Sequence, residues 1–170
     1  GSTQLGSAQV GFVTAAALNT SGTIAAVAGD SIERADGSGN TGVLTLLEMP
    51  SSRVLQQLQS PDNTLFQSVA FSADGALIAG GTSSGGLAIW RVGETTPFRV
   101  IAAHSKFILT IAFSPDGKWV ASASLDCTVR LWKASTGEAV HTLRGHTAGV
   151  EAPEARVESV VVIDPQQGVA

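Results

Sequence analysis

The chain has one cysteine, Cys127, in 170 residues, so no internal disulfide can form. That mildly favours a reducing, intracellular (cytoplasmic) setting. No run of 18 apolar residues occurs, so no membrane span is expected. Charged residues make up only 14% of the chain, and net charge is −4. The cations are thin and spread out: Arg91, Lys106, Lys118, Arg130, Lys133 and Arg144 read as a solvated surface, not a nucleic-acid stripe. Aromatics are scarce at 5%, which leaves core filling to small and β-branched side chains. At 44% hydrophobic residues the chain is too apolar for disorder.

What remains is uneven. Residues 96–146 hold six Lys/Arg against three Asp/Glu, whereas residues 147–170 hold one against four. The stretch from Val10 to Gly29 is apolar and ends in Ala26-Val27-Ala28, which mimics a leader-cleavage site. It has no basic start, and Asn19-Thr20-Ser21-Gly22 interrupts it, so it reads as two strands and a turn. The chain starts Gly1-Ser2 without Met, so its natural beginning lies open to question.

Sliding the chain on itself reveals a repeat. Phe71-Ser72-Ala73-Asp74-Gly75 matches Phe113-Ser114-Pro115-Asp116-Gly117, Trp90 matches Trp132, and His104 matches His146, all at an offset of 42. An older copy aligns Ala17–Ala25 with Ala70–Ile78 at 53, then Val43–Leu47 with Gly86–Trp90 at 43. The ten-residue difference is an inserted Gly/Ser/Asp-rich loop. Val160-Val161-Val162-Ile163-Asp164-Pro165 resembles the start of another copy. The expected organisation is an extension at 1–9, a worn first repeat at 10–60 with its loop at 31–41, a second repeat at 61–102, a third at 103–144, and the beginning of a fourth with an acidic tail at 145–170.

The local patterns are those of strands. Ile108–Phe113 and Trp119–Ser124 are short β-rich runs joined by Ser114-Pro115-Asp116-Gly117, a sequence suited to a type I turn. Thr128–Trp132 alternates, and reads as Thr128 and Arg130 outward with Val129 and Leu131 inward. Nothing carries a helical apolar period. Gly80-Gly81 and Gly85-Gly86 lack the following Lys and helix of a phosphate cradle, and read as glycines flanking a turn.

The series Ala103-His104, Phe113-Ser114-Pro115-Asp116-Gly117, Ser124-Leu125-Asp126 and Val129-Arg130-Leu131-Trp132, followed by Arg144-Gly145-His146, resembles the WD-repeat family. The resemblance covers roughly Val10 to His146, strongly from Thr64 onward. It implies an all-β fold, a partial β-propeller of four-stranded antiparallel blades, with periods of about 40–45 residues. It also implies a structural tetrad of His104, Ser124, Asp126 and Trp132. In the second copy Thr82 and Trp90 fit that pattern, while Asp62 and Ser84 replace its His and Asp. In the first copy Leu47 stands for the Trp.

His104, Ser124 and Asp126 are also the residue types of a hydrolase triad. Trp132 at tetrad spacing favours the structural role, and no catalytic site is expected. Cys127, His141 and His146 lack the spacing of a metal site, and no metal or other cofactor is expected. The resemblance points to a rim that meets partners, here Lys106, Phe107, Leu109 and Leu125. The expected role is a non-catalytic scaffold for other proteins or peptides. An accessory module of a larger enzyme or signalling protein and a weakly RNA-associated propeller are the alternatives. Too few copies are present to close a ring, so a longer propeller, self-association or a partner subunit is expected to complete it. The acidic segment Glu151–Glu158 is a candidate cover for the open end.

Overall fold

The computed structural model describes residues 10–31 and 41–144. Residues 1–9, most of the inserted loop, His146, the segment Glu151–Glu158 and the beginning of a fourth repeat lie outside the described residues.

Twelve strands and no helix occur among the described residues, arranged as three four-stranded antiparallel sheets. The first sheet is β1 (Val10–Leu18), β2 (Ile24–Ser31), β3 (Gly42–Glu48) and β4 (Arg53–Gln59). The second is β5 (Phe66–Phe71), β6 (Leu77–Thr82), β7 (Gly86–Arg91) and β8 (Arg99–Ala102). The third is β9 (Ile108–Phe113), β10 (Trp119–Ser124), β11 (Thr128–Lys133) and β12 (Ala139–Arg144). Strand order follows sequence order within each sheet, so every sheet is an up-and-down meander.

The turns explain the meander. Ser114 Oγ accepts the Trp119 N–H at 3.0 Å and donates to Asp116 Oδ1 at 2.6 Å, and Asp116 Oδ1 accepts the Lys118 N–H at 3.0 Å. Gly117 ends the turn at φ +69°, a conformation that suits a residue without Cβ. Ser72, Asp74 and Gly75 repeat the arrangement in the second sheet. In the worn first copy Asn19 Oδ1 does the same work, accepting from the Thr23 and Ile24 N–H groups.

The core lies between sheets. Leu44, Leu46 and Leu58 of the first pack on Phe66, Ile78 and Trp90 of the second. Leu87 and Ile89 of the second pack on Ile108, Val120 and Trp132 of the third. A middle sheet is therefore buried on both faces. This overturns the inward-outward reading of Thr128–Trp132. Thr128 is buried, shares its face with Trp132, and looks toward the second sheet, whereas Val129 and Leu131 sit half-exposed on the opposite face. Alternation identifies two faces, but it names an inside only when one of them is wet. The glycine reading changes too. Gly80 and Gly81 are buried strand residues of β6, and the turn itself carries Gly85 at φ +94°.

Hydrogen bonds stitch neighbouring sheets at both ends. Thr14 Oγ1 donates to Phe66 O, Thr20 Oγ1 to Ala73 O, and Gly93 N–H to Gln56 Oε1.

Candidate functional site: the loop rim of the third sheet

The β8–β9 loop carries His104 and the β10–β11 turn carries Asp126, and the strands bring them together. His104 Nδ1 lies 2.9 Å from Asp126 Oδ2, and His104 Nε2 lies 2.7 Å from Ser122 Oγ. Trp132 Nε1–H donates to the same Ser122 Oγ at 2.9 Å. Trp132 can only donate and the Asp126 carboxylate only accept, which with the lowered His104 pKa assigns the order indole to hydroxyl, hydroxyl to Nε2, Nδ1–H to carboxylate. That order assigns a neutral ring protonated on Nδ1. Thr128 Oγ1 donates to Asp126 Oδ1 at 2.6 Å and lies 3.1 Å from His104 Nδ1.

The expected tetrad is corrected at one position. The serine that joins His104 to Trp132 is Ser122, not Ser124. Both point to the same side of β10, so alternation cannot choose between them. Ser124 is one step nearer the loop. Its Oγ donates to Lys106 O at 3.0 Å and accepts the Asp126 N–H at 3.1 Å, which pins the loop to the turn. Thr128 is a further member that the sequence reading did not name.

The electrostatics follow from burial. Loss of solvent pushes the His104 pKa down, although Asp126 pulls it back up. Burial alone raises Asp126, yet hydrogen bonds from Thr128, His104 and the Ser105 amide hold it to about 2. Asp126, His104 and Ser122 thus form the hydrogen-bond chain of a hydrolase triad. Ser122 is 0% exposed and its oxygen already accepts from Trp132, so no substrate carbonyl reaches it.

The second sheet answers the same positions differently. Asp62 occupies the place of His104. It accepts hydroxyls from Ser60, Thr64, Thr82 and Ser84. Burial opposes its ionisation, but those hydroxyls hold it well below the usual carboxylate range. Gly80 occupies the place of Ser122, and the Phe66 ring fills the space a side chain there needs. Trp90 Nε1 is consequently buried with no hydrogen-bond partner, its indole packed edge-on against Phe66 at 5.8 Å between ring centres.

Above the third-sheet chain sits the expected rim. Leu125 N–H donates to Phe107 O at 3.0 Å, which sets the β8–β9 loop beside the β10–β11 turn. Phe107 and Leu125 are each 45% exposed, and Lys106 is exposed next to them. Leu109 is the exception. It lies within β9 and is half-buried. Of the residues weighed for a metal, Cys127 is exposed in the β10–β11 turn and His141 is exposed on β12.

Three consecutive meanders, packed face to face with their loops at common ends, are blades of a β-propeller. The WD domain, G-beta repeat family matches residues 95–133. Periodic tryptophan protein 2 homolog of Caenorhabditis elegans is 31% identical over 116 residues, 66% of this chain and 13% of that protein. Protein LST8 homolog of Drosophila melanogaster is 35% identical over 109 residues, 60% of this chain and 34% of that protein. The crystal structure of RRP9 WD40 repeats superposes with a TM-score of 0.69 at 20% identity, covering 82% of this chain and 40% of that one. Residues 95–133 match a WD repeat, and the chain has the fold of part of a β-propeller. It spans 13% and 34% of the two relatives' lengths.

Proposed function

We propose that the chain is a non-catalytic scaffold that holds other proteins through the rim of its third blade. The observation that carries this reading is the pairing of Phe107 and Leu125. Two large apolar side chains stand nearly half exposed on a backbone held by the Ser124–Lys106 and Leu125–Phe107 hydrogen bonds. Fixed apolar anchors lose little entropy on binding, and such anchors dominate interface energetics. Lys106 supplies the polar edge. Two further similar proteins carry names that fit work in assemblies: ribosome biogenesis protein bop1 of Danio rerio and target of rapamycin complex subunit LST8 of Saccharomyces cerevisiae. An intracellular setting fits the solitary exposed Cys127.

The test is peptide-display selection against the chain and against its Phe107→Ser/Leu125→Ser variant. Enrichment of apolar-anchored peptides that the variant loses supports the rim. The same peptides enriched by both proteins refutes it.

The outer face of the third blade adds a second expectation. Leu87 and Ile89 are 0% exposed because the third blade covers them, while their counterparts Val129 and Leu131 stay half-exposed. We infer that a further blade, a second copy or a partner subunit covers that face. Light scattering on the purified chain distinguishes a second copy from the other two.

A further inference from the structure

The end of the molecule opposite the Phe107–Leu125 rim holds a cleft of about 350 Å³ between the second and third blades. Its floor is apolar: Leu77 and Phe98 come from one blade, Trp119 from the other. Its cationic edge is Arg91, Lys118 and Lys133, and no acidic residue lines it. These three cations are far apart in sequence. They meet because the β5–β6, β7–β8, β9–β10 and β11–β12 turns all fall at this end.

The cleft is braced from behind. Arg91 and Arg99 each place a guanidinium 4.1 Å from the centre of the Phe98 ring. Arg99 also donates to Phe98 O and, across the blade junction, to Ser135 O. Phe98 is thereby fixed and Arg91 is held over the cleft. Lys118 and Arg91 do have anionic neighbours. Glu94 lies 3.7 Å from Arg91 and Asp116 lies 3.5 Å from Lys118. Both pairs are exposed, and such pairs contribute little, so an incoming carboxylate displaces them readily.

We propose that this cleft is a second recognition site, and that it takes an acidic peptide carrying one apolar anchor side chain flanked by Asp or Glu. A cleft of this size suits a single side chain and not a tracked backbone. The charge pattern is complementary to carboxylates, and Arg91 can meet one with two parallel N–H bonds. Single-stranded nucleic acid fits less well. Base-stacking grooves offer free aromatic faces along a path, whereas the Phe98 ring is already taken by two arginines.

The experiment titrates the full 170-residue chain with a labelled peptide of one Leu between two pairs of Glu. The same length of peptide with Gln for Glu, and an oligouridylate, serve as comparison probes. Trp119 is the half-buried tryptophan and reports from within the site, because Trp90 and Trp132 are buried. Saturable, salt-sensitive binding of the Glu peptide is expected, weakened about tenfold or more in Lys118→Glu/Lys133→Glu. Phe107→Ser/Leu125→Ser should leave it unchanged, which separates this site from the rim. The two charge-reversed lysines are exposed, and circular dichroism verifies that the variant stays folded. Equal affinity for the Gln peptide, unchanged affinity in the charge-reversed variant, absence of binding, or preference for the oligouridylate would each overturn the proposal.

Discussion

The second and third blades share a backbone, a turn chemistry and a tryptophan at the same register, yet they hold that tryptophan by different means. In the third, a polar chain runs from Trp132 through Ser122 and His104 to Asp126. In the second, Gly80 removes the hydroxyl, Phe66 fills the vacated space, and Trp90 keeps its volume while its N–H goes unpartnered. Leaving a buried donor unmade costs roughly 1–3 kcal/mol. An aromatic pair returns about 0.5–1.5 kcal/mol beyond burial. Packing can therefore offset much of the lost hydrogen bond, and the second blade tolerates the change because its neighbours bury it on both faces.

The largest expected effect comes from breaking the polar blade. His104→Ala should destabilise the protein by about 3 kcal/mol, because it opens a cavity and removes the partner of the Ser122 hydroxyl and a donor to Asp126 Oδ2. Asp62→Ala at the matching position should cost less, about 1 kcal/mol, since Asp62 reaches the surface and Thr82 keeps its hydrogen bond with Ser84. Urea denaturation of both variants checks the ranking, and equal losses would erase the contrast.

Next in size is a graft. Gly80→Ser gives Trp90 a potential acceptor, but its Cβ meets Phe66 ring carbons at 2.7 and 2.8 Å. A loss of about 2 kcal/mol is expected. Adding Phe66→Ile, the residue that Ile108 supplies in the third blade, should recover at least half. The thermal melts of the single and double variants measure this coupling.

The pH dependence sharpens the comparison further. His104 has a folded pKa below its ordinary value of 6.5, so the unfolded chain binds the proton more readily. The stability from this group is complete above pH 6.5 and drains as pH falls below it. Asp126, at about 2 against 3.8, adds a second loss only below about pH 4. His104→Ala should abolish the first decline, as stability measured between pH 7 and 5 will show.

The smallest effect is at the β10–β11 turn. Cys127 adopts φ +66° where the second blade has Gly85. Cys127→Gly should stabilise by about 0.5 kcal/mol, the left-handed strain relieved less the entropy of glycine.

Much of this contrast was legible in the chain. The constant offset of 42 located equivalent positions, and the Ser-x-Asp-Gly turns fixed where β5 meets β6 and β9 meets β10. The substitutions of Asp62 and Ser84 marked the second network as altered. The serine of the third was misplaced because Ser122 and Ser124 share parity, and a hydroxyl recurs at 82 and 124 but not at 80. Telling them apart requires knowing how deep the histidine ring reaches, which depends on the crossing of two loops. The facing of β11 was misread because its buried face carries Thr128, held by the His104–Asp126 chain, while the apolar Val129 and Leu131 lie on the half-exposed face. The cation cluster at the opposite end was invisible because four turns from two repeats build it.

The central claim is that one tryptophan is hydrogen-bonded through Ser122 and its repeat partner is not. Proton-nitrogen NMR of the three indole N–H groups, with and without Ser122→Ala, tests it most directly. The account predicts that the Trp132 indole resonance moves upfield and loses exchange protection, while that of Trp90 stays in place. An unmoved Trp132 resonance, or equal shifts at Trp90 and Trp132, would contradict it.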